Sequence, residues 1–155
     1  MEFNIESEYN ALGKKYNLPK FSDLDKEFEI SDIDKTNFLL RHVLRGIAEK
    51  LDFYANLISE LLQPDTASLS SMHEIRFLTE DEKSDMYGLF KRIMKINRNV
   101  LELILEQDEK KQASSLNNFY SEWMEIKKEL LAHISKMKES WDKETAIEED
   151  LGYMG

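Results

Sequence analysis

The chain has no cysteine. Disulfides, thiolate metal sites and cysteine nucleophiles are therefore excluded, and the composition suits a reducing compartment. Only two prolines and five glycines punctuate its 155 residues, which leaves little room for a turn-rich β fold. No apolar run approaches the roughly 18 residues that a membrane span needs. Residues 1–9 are acidic and have no apolar centre, so they do not read as a secretory signal. A cytoplasmic protein with no membrane attachment is expected.

Basic charge is also scarce. Twenty-one lysines and arginines stand against 31 aspartates and glutamates, for a net charge of −10. The excess acid lies in three places: residues 1–35 with nine acids and five bases, residues 64–85 with six and two, and residues 142–155 with five and one. Residues 86–112 are the exception, with six bases and four acids. Phosphate contacts supply most of the affinity for nucleic acid, so nucleic acid is not the expected partner of a chain this acidic.

What is abundant is apolar residues at helical spacing. In residues 33–63, Leu40, Leu44, Ile47, Leu51, Tyr54, Ile58 and Leu61 recur every three or four positions. Leu39, Val43, Leu57, Ala48, Ala55 and Leu62 widen that stripe, which suits a helix packed on more than one side. Ser31 is expected to cap it, with Asp32 and Asp34 in its first turn. Thr79 and Glu82 have the spacing of a capping box and open a second long helix, 79–106. It carries Met86, Leu89, Ile93, Ile96, Val100 and Leu103, with Phe90, Met94, Leu101 and Ile104 widening the arc and Asn97 inside it. The rhythm lapses after Leu105 and restarts with Leu116, Phe119, Trp123, Ile126, Leu130, Ile134, Met137 and Trp141. A turn within 106–115 and a third long helix, 114–141, are predicted. The competing reading is one unbroken helix over 80–141, which would force the bundle to form between chains.

Residues 1–30 read as two short helices. Tyr9, Leu12 and Tyr16 mark the first, which ends at Leu18-Pro19. Leu24, Phe28 and Phe21 mark the second. Neither is long enough to be stable alone. They are expected to cover the back of the 31–63 helix, over Phe38 and Phe53, with Gly46 allowing close approach. The predicted fold is an all-α, up-down-up bundle of three long helices with this N-terminal pair packed on it. One domain of residues 1–141 and an acidic, mobile tail at 142–155 are expected. The wide apolar arcs leave room for a homodimer.

No catalytic motif, nucleotide loop or family signature is present. The connector, residues 64–78, is longer than the two to eight residues usual between bundle helices. It holds Ser68, Ser70, Ser71, His73 and Glu74. These are the residue types of a serine–histidine nucleophile, but no glycine-flanked elbow accompanies them; residues 68–77 read as a short helix with Leu69, Met72 and Phe77 facing in, and serines at its start are expected to cap it. Lys91, Lys95 and Arg98 form the one basic stripe; a solvated face with Glu102 pairing along it is the favoured reading, and a seat for an acidic partner, a phosphate or the acidic tail is the other. Arg41, His42 and Arg45 are candidates for a pocket against the N-terminal pair. His133, with Glu129 and Glu122, lacks the Glu-x-x-His pairs of carboxylate-bridged bundles, so a solvated helix edge is expected there and no metal or other cofactor. The methionines, Met86, Met94, Met124 and Met137 among them, are expected to fill core gaps. The sequence therefore reads as a non-enzymatic interaction or scaffold protein with a protein partner. The alternative is a small-molecule binder or enzyme using the Arg41, His42 and Arg45 pocket.

Overall fold

The computed structural model describes residues 4–34, 37–64 and 68–143. Most of the expected tail, residues 144–155, and connector residues 65–67 lie outside the described residues. Those described form six α-helices and no strand: α1 (Ile5–Tyr16), α2 (Phe21–Phe28), α3 (Leu39–Leu62), α4 (Leu69–Ile75), α5 (Glu80–Glu106) and α6 (Glu109–Ser140). A 3-10 turn, Ile30–Asp32, separates α2 from α3.

The three long helices are those the apolar spacing predicts. On α3, Leu40, Leu44, Ile47, Leu51, Ile58 and Leu61 are almost wholly buried, and Met86, Leu89, Ile93, Ile96 and Val100 meet them from α5. Each such side chain contributes about 1.5–3 kcal/mol on leaving water. Leu116, Phe119, Trp123, Ile126, Leu130 and Met137 of α6 complete the core. Ile134 and Trp141 do not: both are exposed, because the buried line at this end runs through Leu130, Met137 and Ser140. Helices α5 and α6 run antiparallel, with Arg92 on Glu129 at 2.5 Å and Lys136 on Glu82 nearer their other end.

The boundaries differ from the sequence expectation in two places. Ser31 does not cap α3. It sits in the 3-10 turn, where its N–H donates to Asp25 Oδ1 at 2.8 Å, and α3 begins only after Phe38, in the left-handed region at φ 58°. Helix α6 begins at Glu109 rather than 114. Gln107, also left-handed at φ 59°, ends α5. Asp108 then caps α6 by accepting from Lys111 N, and buried Gln112 donates to the Leu103 carbonyl at the end of α5. Two residues thus make the whole turn. The capping box is present as expected, Thr79 accepting from Glu82 N and Glu82 from Thr79 N.

The N-terminal pair covers only part of the back of α3: the end of α2 lies beside Gly46 and Glu49, but two phenylalanines stay uncovered. Phe38 and Phe53 are 64% and 65% exposed. Helix α2 packs on α3 and reaches across to α6, while α1 packs on α2 and α6. The reason is polar as well as apolar. Glu27 is buried and accepts from Trp123 Nε1 at 2.7 Å and from Lys127 Nζ at 2.6 Å, both on α6. Lys50 of α3 donates to the Glu27 carbonyl and lies over the Phe28 and Trp123 rings. Helix α1 is fixed by Tyr9 donating to the Pro19 carbonyl at 2.5 Å and by Tyr16 donating to Glu109 Oε1 at 2.8 Å. Gly46 is not a forced close approach: a Cβ there would meet only the Phe28 carbonyl, at 3.8 Å.

Candidate functional site

Three surfaces hold the candidate residues. The first is α4. Ser68 caps it by accepting from Ser71 N at 3.4 Å, as expected of serines at a helix start. Ser70 is exposed and Ser71 buried, and Leu69, expected to face in, is exposed. His73 is buried, and its Nε2 donates to the Ser140 carbonyl at the end of α6. Its ring stacks on Trp141, centroids 4.1 Å apart, and the Trp141 indole donates to Glu74 at 3.3 Å. The expected polar cluster is thus a joint. The imidazole donor is aimed at a helix-end carbonyl, not at a serine hydroxyl, and the connector closes the end of the bundle where α6 finishes.

The second surface is a cleft of about 430 Å³ between the α2–α3 connection and α3. His42, Arg45, Gly46 and Glu49 line one side, and Glu29, Asp32 and Asp34 the other. It continues into a smaller cleft, about 300 Å³, that ends at Lys50, Phe53 and Tyr54. Two of the three pocket residues expected from sequence therefore share a wall. Arg41 does not join them, because its guanidinium lies over the Phe38 ring at 4.3 Å.

The third is the outer face of α5. Lys91, Lys95 and Arg98 are all exposed along it. Lys91 lies over the Tyr87 ring at 5.2 Å, and Arg98 donates to Asn97 Oδ1 at 2.6 Å. Asn97 itself is buried and donates to the Ala48 carbonyl and to Asp52, both at 3.2 Å, so it pins α5 to α3. Large exposed apolar groups stand at both ends of this basic block. Tyr87 is 53% exposed, Leu101 42% and Leu105 81%. The spacing predicts that Leu101 widens the inward arc, and it does not; for Tyr87 and Leu105 the inward stripe predicts nothing. A different signal marks all three: Tyr87, Lys91, Met94, Arg98, Leu101 and Leu105 recur every four or three residues, a second stripe opposite the first.

His133 lies on a cleft of about 500 Å³ with Arg92, Glu129, Ser84 and Asp85, and Glu129 is held by Arg92. Among the described residues no group of three or more His, Asp or Glu is placed to hold a metal ion, and no helix is long and apolar enough to cross a membrane. The clearest electrostatic shifts serve packing. Burial pushes the Tyr9 hydroxyl well above its usual range. Burial likewise raises Tyr120, reinforced by Asp23 and Glu27. Burial pushes Glu27 up too, but the bonds from Lys127 and Trp123 and the charges of Lys127 and Lys50 outweigh it, leaving the carboxyl below its ordinary value. No protein-family model matches the chain, and no curated protein or solved structure is similar enough to match it.

Proposed function

We propose that this chain is a non-enzymatic helical interaction protein that holds a protein partner on the outer face of α5. One observation carries the proposal: Tyr87 stands exposed at one end of Lys91, Lys95 and Arg98, and Leu101 and Leu105 stand exposed at the other, all on one face of α5. Scattered single apolar groups on a surface need no explanation, whereas exposed apolar groups aligned on one helix face about a block of bases suit an interaction surface. The polar groups that chemistry would require support the same reading, since His73 and Glu74 are occupied in joining α4 to α6. The proposal places the protein in the cytoplasm, where a chain lacking cysteine forgoes no disulfide.

The test is a photo-crosslinking residue at Leu101, compared with one at exposed Ser121 on α6, in extract of the native cells. The expected result is a discrete adduct from position 101 that disappears when Lys91 and Lys95 are changed to glutamate. No adduct at 101, or the same adducts at 121, overturns the proposal.

A second reading, a small-molecule site, is favoured by the cleft holding His42 and Arg45. A compound that raises the thermal midpoint of the wild type but not of Arg45→Ala would support it. A screen of polar metabolites that finds none removes it.

A further inference from the structure

The chemistry of the α5 face specifies the class of partner, a specification that rests on the reading of that face as an interaction surface. Its outer positions, Tyr87, Lys91, Met94, Arg98, Leu101 and Leu105, keep the four-three rhythm of a helix-on-helix seam. All are exposed except Met94, which is half-buried. Two of the positions are basic, Lys91 and Arg98, and Lys95 lies beside them. The row is about 27 Å long, and it projects from the one part of this acidic chain where bases outnumber acids. Glu102 flanks the row and is exposed, which still leaves the face positive. Arg98 is steadied by its bond to Asn97 Oδ1, and Asn97 is in turn buried against α3, so that guanidinium lies at the α3 edge of the face.

We infer that the outer face of α5 takes an acidic amphipathic helix from another protein. Its leucine-type residues would pack between Tyr87, Met94, Leu101 and Leu105, and its carboxylates would meet Lys91, Lys95 and Arg98. Charge complementarity selects this occupant over the others. A second copy of the chain would bring three more cations onto the same seam. A basic helix would meet like charge along its length. An extended segment would not match the helical repeat.

The test uses the full chain and a labelled synthetic helix of roughly three heptads, with leucine at one seam position and glutamate at the other. Binding is read by fluorescence anisotropy at low and at moderate salt. The expected result is saturable binding that weakens as salt rises. It should weaken at least tenfold in Lys91→Glu/Lys95→Glu/Arg98→Glu, and the triple variant should instead bind the same peptide carrying lysine for glutamate. The double variant Lys91→Glu/Lys95→Glu leaves the Arg98–Asn97 bond in place and should lose several-fold, with an unchanged circular dichroism spectrum. Equal binding of the lysine peptide by the wild type overturns the inference, as does indifference to charge reversal. So does binding to phosphatidylserine vesicles with none to the peptide, or sedimentation as a dimer that Leu101→Ala/Leu105→Ala dissolves. If the peptide fails while the position-101 crosslink persists, the acidic-helix class falls and the interaction reading stands.

Discussion

Asn97 shows how one polar side chain fixes the pairing of two helices. It is almost wholly buried and makes three hydrogen bonds, two given and one received. The bond to the Ala48 carbonyl ties the midpoint of α5 to the midpoint of α3, and a one-turn slip of either helix would leave the amide unpaired. A polar group on a bundle seam specifies register in this way. Asn97→Ala removes the donor and strands the guanidinium of Arg98, so a loss of about 1–3 kcal/mol is expected. The shift in the urea midpoint checks it, and a midpoint equal to wild type would show that the bond contributes nothing. Trp123 and Glu27 form the comparable pair for α2, joined at 2.7 Å. The residue scale therefore carries the register, while the apolar stripes supply most of the free energy.

At the scale of the element, the helix ends are where the backbone departs from what composition signals. Asn17, Glu29, Phe38 and Gln107 all adopt positive φ, and none is glycine. A left-handed residue with a side chain costs about 1 kcal/mol over glycine. Gln107→Gly is therefore expected to stabilise the chain by roughly 0.5–1 kcal/mol, and Gly46→Ala by a similar amount, since a mid-helix glycine is unfavourable and the added Cβ meets only ordinary contact. Thermal midpoints of the two variants, separately and together, check this; a fall in either would mean that its side chain or its absence serves packing. These same ends mark the limit of what is legible in the sequence. The interiors of α3, α5 and α6 follow from three-four spacing, because burial of a stripe dominates their energy. The break before Leu39 does not, and the turn after α5 follows only as a lapse of rhythm within 106–115 and not as its exact place at Gln107–Asp108, because no glycine or proline marks either. The α5 surface is half legible: Lys91, Lys95 and Arg98 stand out by charge, but Leu101 looks the same in sequence whether it faces the core or the solvent. His73 misleads for a related reason. Its partner, the Ser140 carbonyl, lies 67 residues away, and backbone acceptors leave no mark in side-chain sequence.

At the scale of the whole molecule, the N-terminal pair is held to the bundle through a carboxylate, and that makes its attachment sensitive to acid. Burial alone would favour protonated Glu27, but Lys127, Trp123 and Lys50 together hold the carboxyl below its ordinary value. A group whose folded pKa is depressed contributes stability that is present above the unfolded pKa and is lost as pH falls through the folded one. The unfolded value is near 4.5, so the contribution is complete at neutral pH and declines below about 4.5. Glu27→Gln cannot ionise and loses the charge-assisted part of both bonds, expected to cost about 1–3 kcal/mol at neutral pH. In acid the wild-type carboxyl becomes neutral as well, so the gap between the two proteins should close. With Trp141→Phe as background, Trp123 is the single tryptophan of the two in the chain, and its emission during urea unfolding reads both proteins from pH 7 to pH 3. Lys127→Met supplies the control on the cause. Without its strongest partner the carboxyl is left with burial against Trp123 and Lys50, and the pH dependence attributed to Glu27 should shrink. A gap that stays constant with pH would mean that Glu27 holds α2 by packing and neutral hydrogen bonds, and that the charge of Lys127 is incidental to how the N-terminal pair is seated.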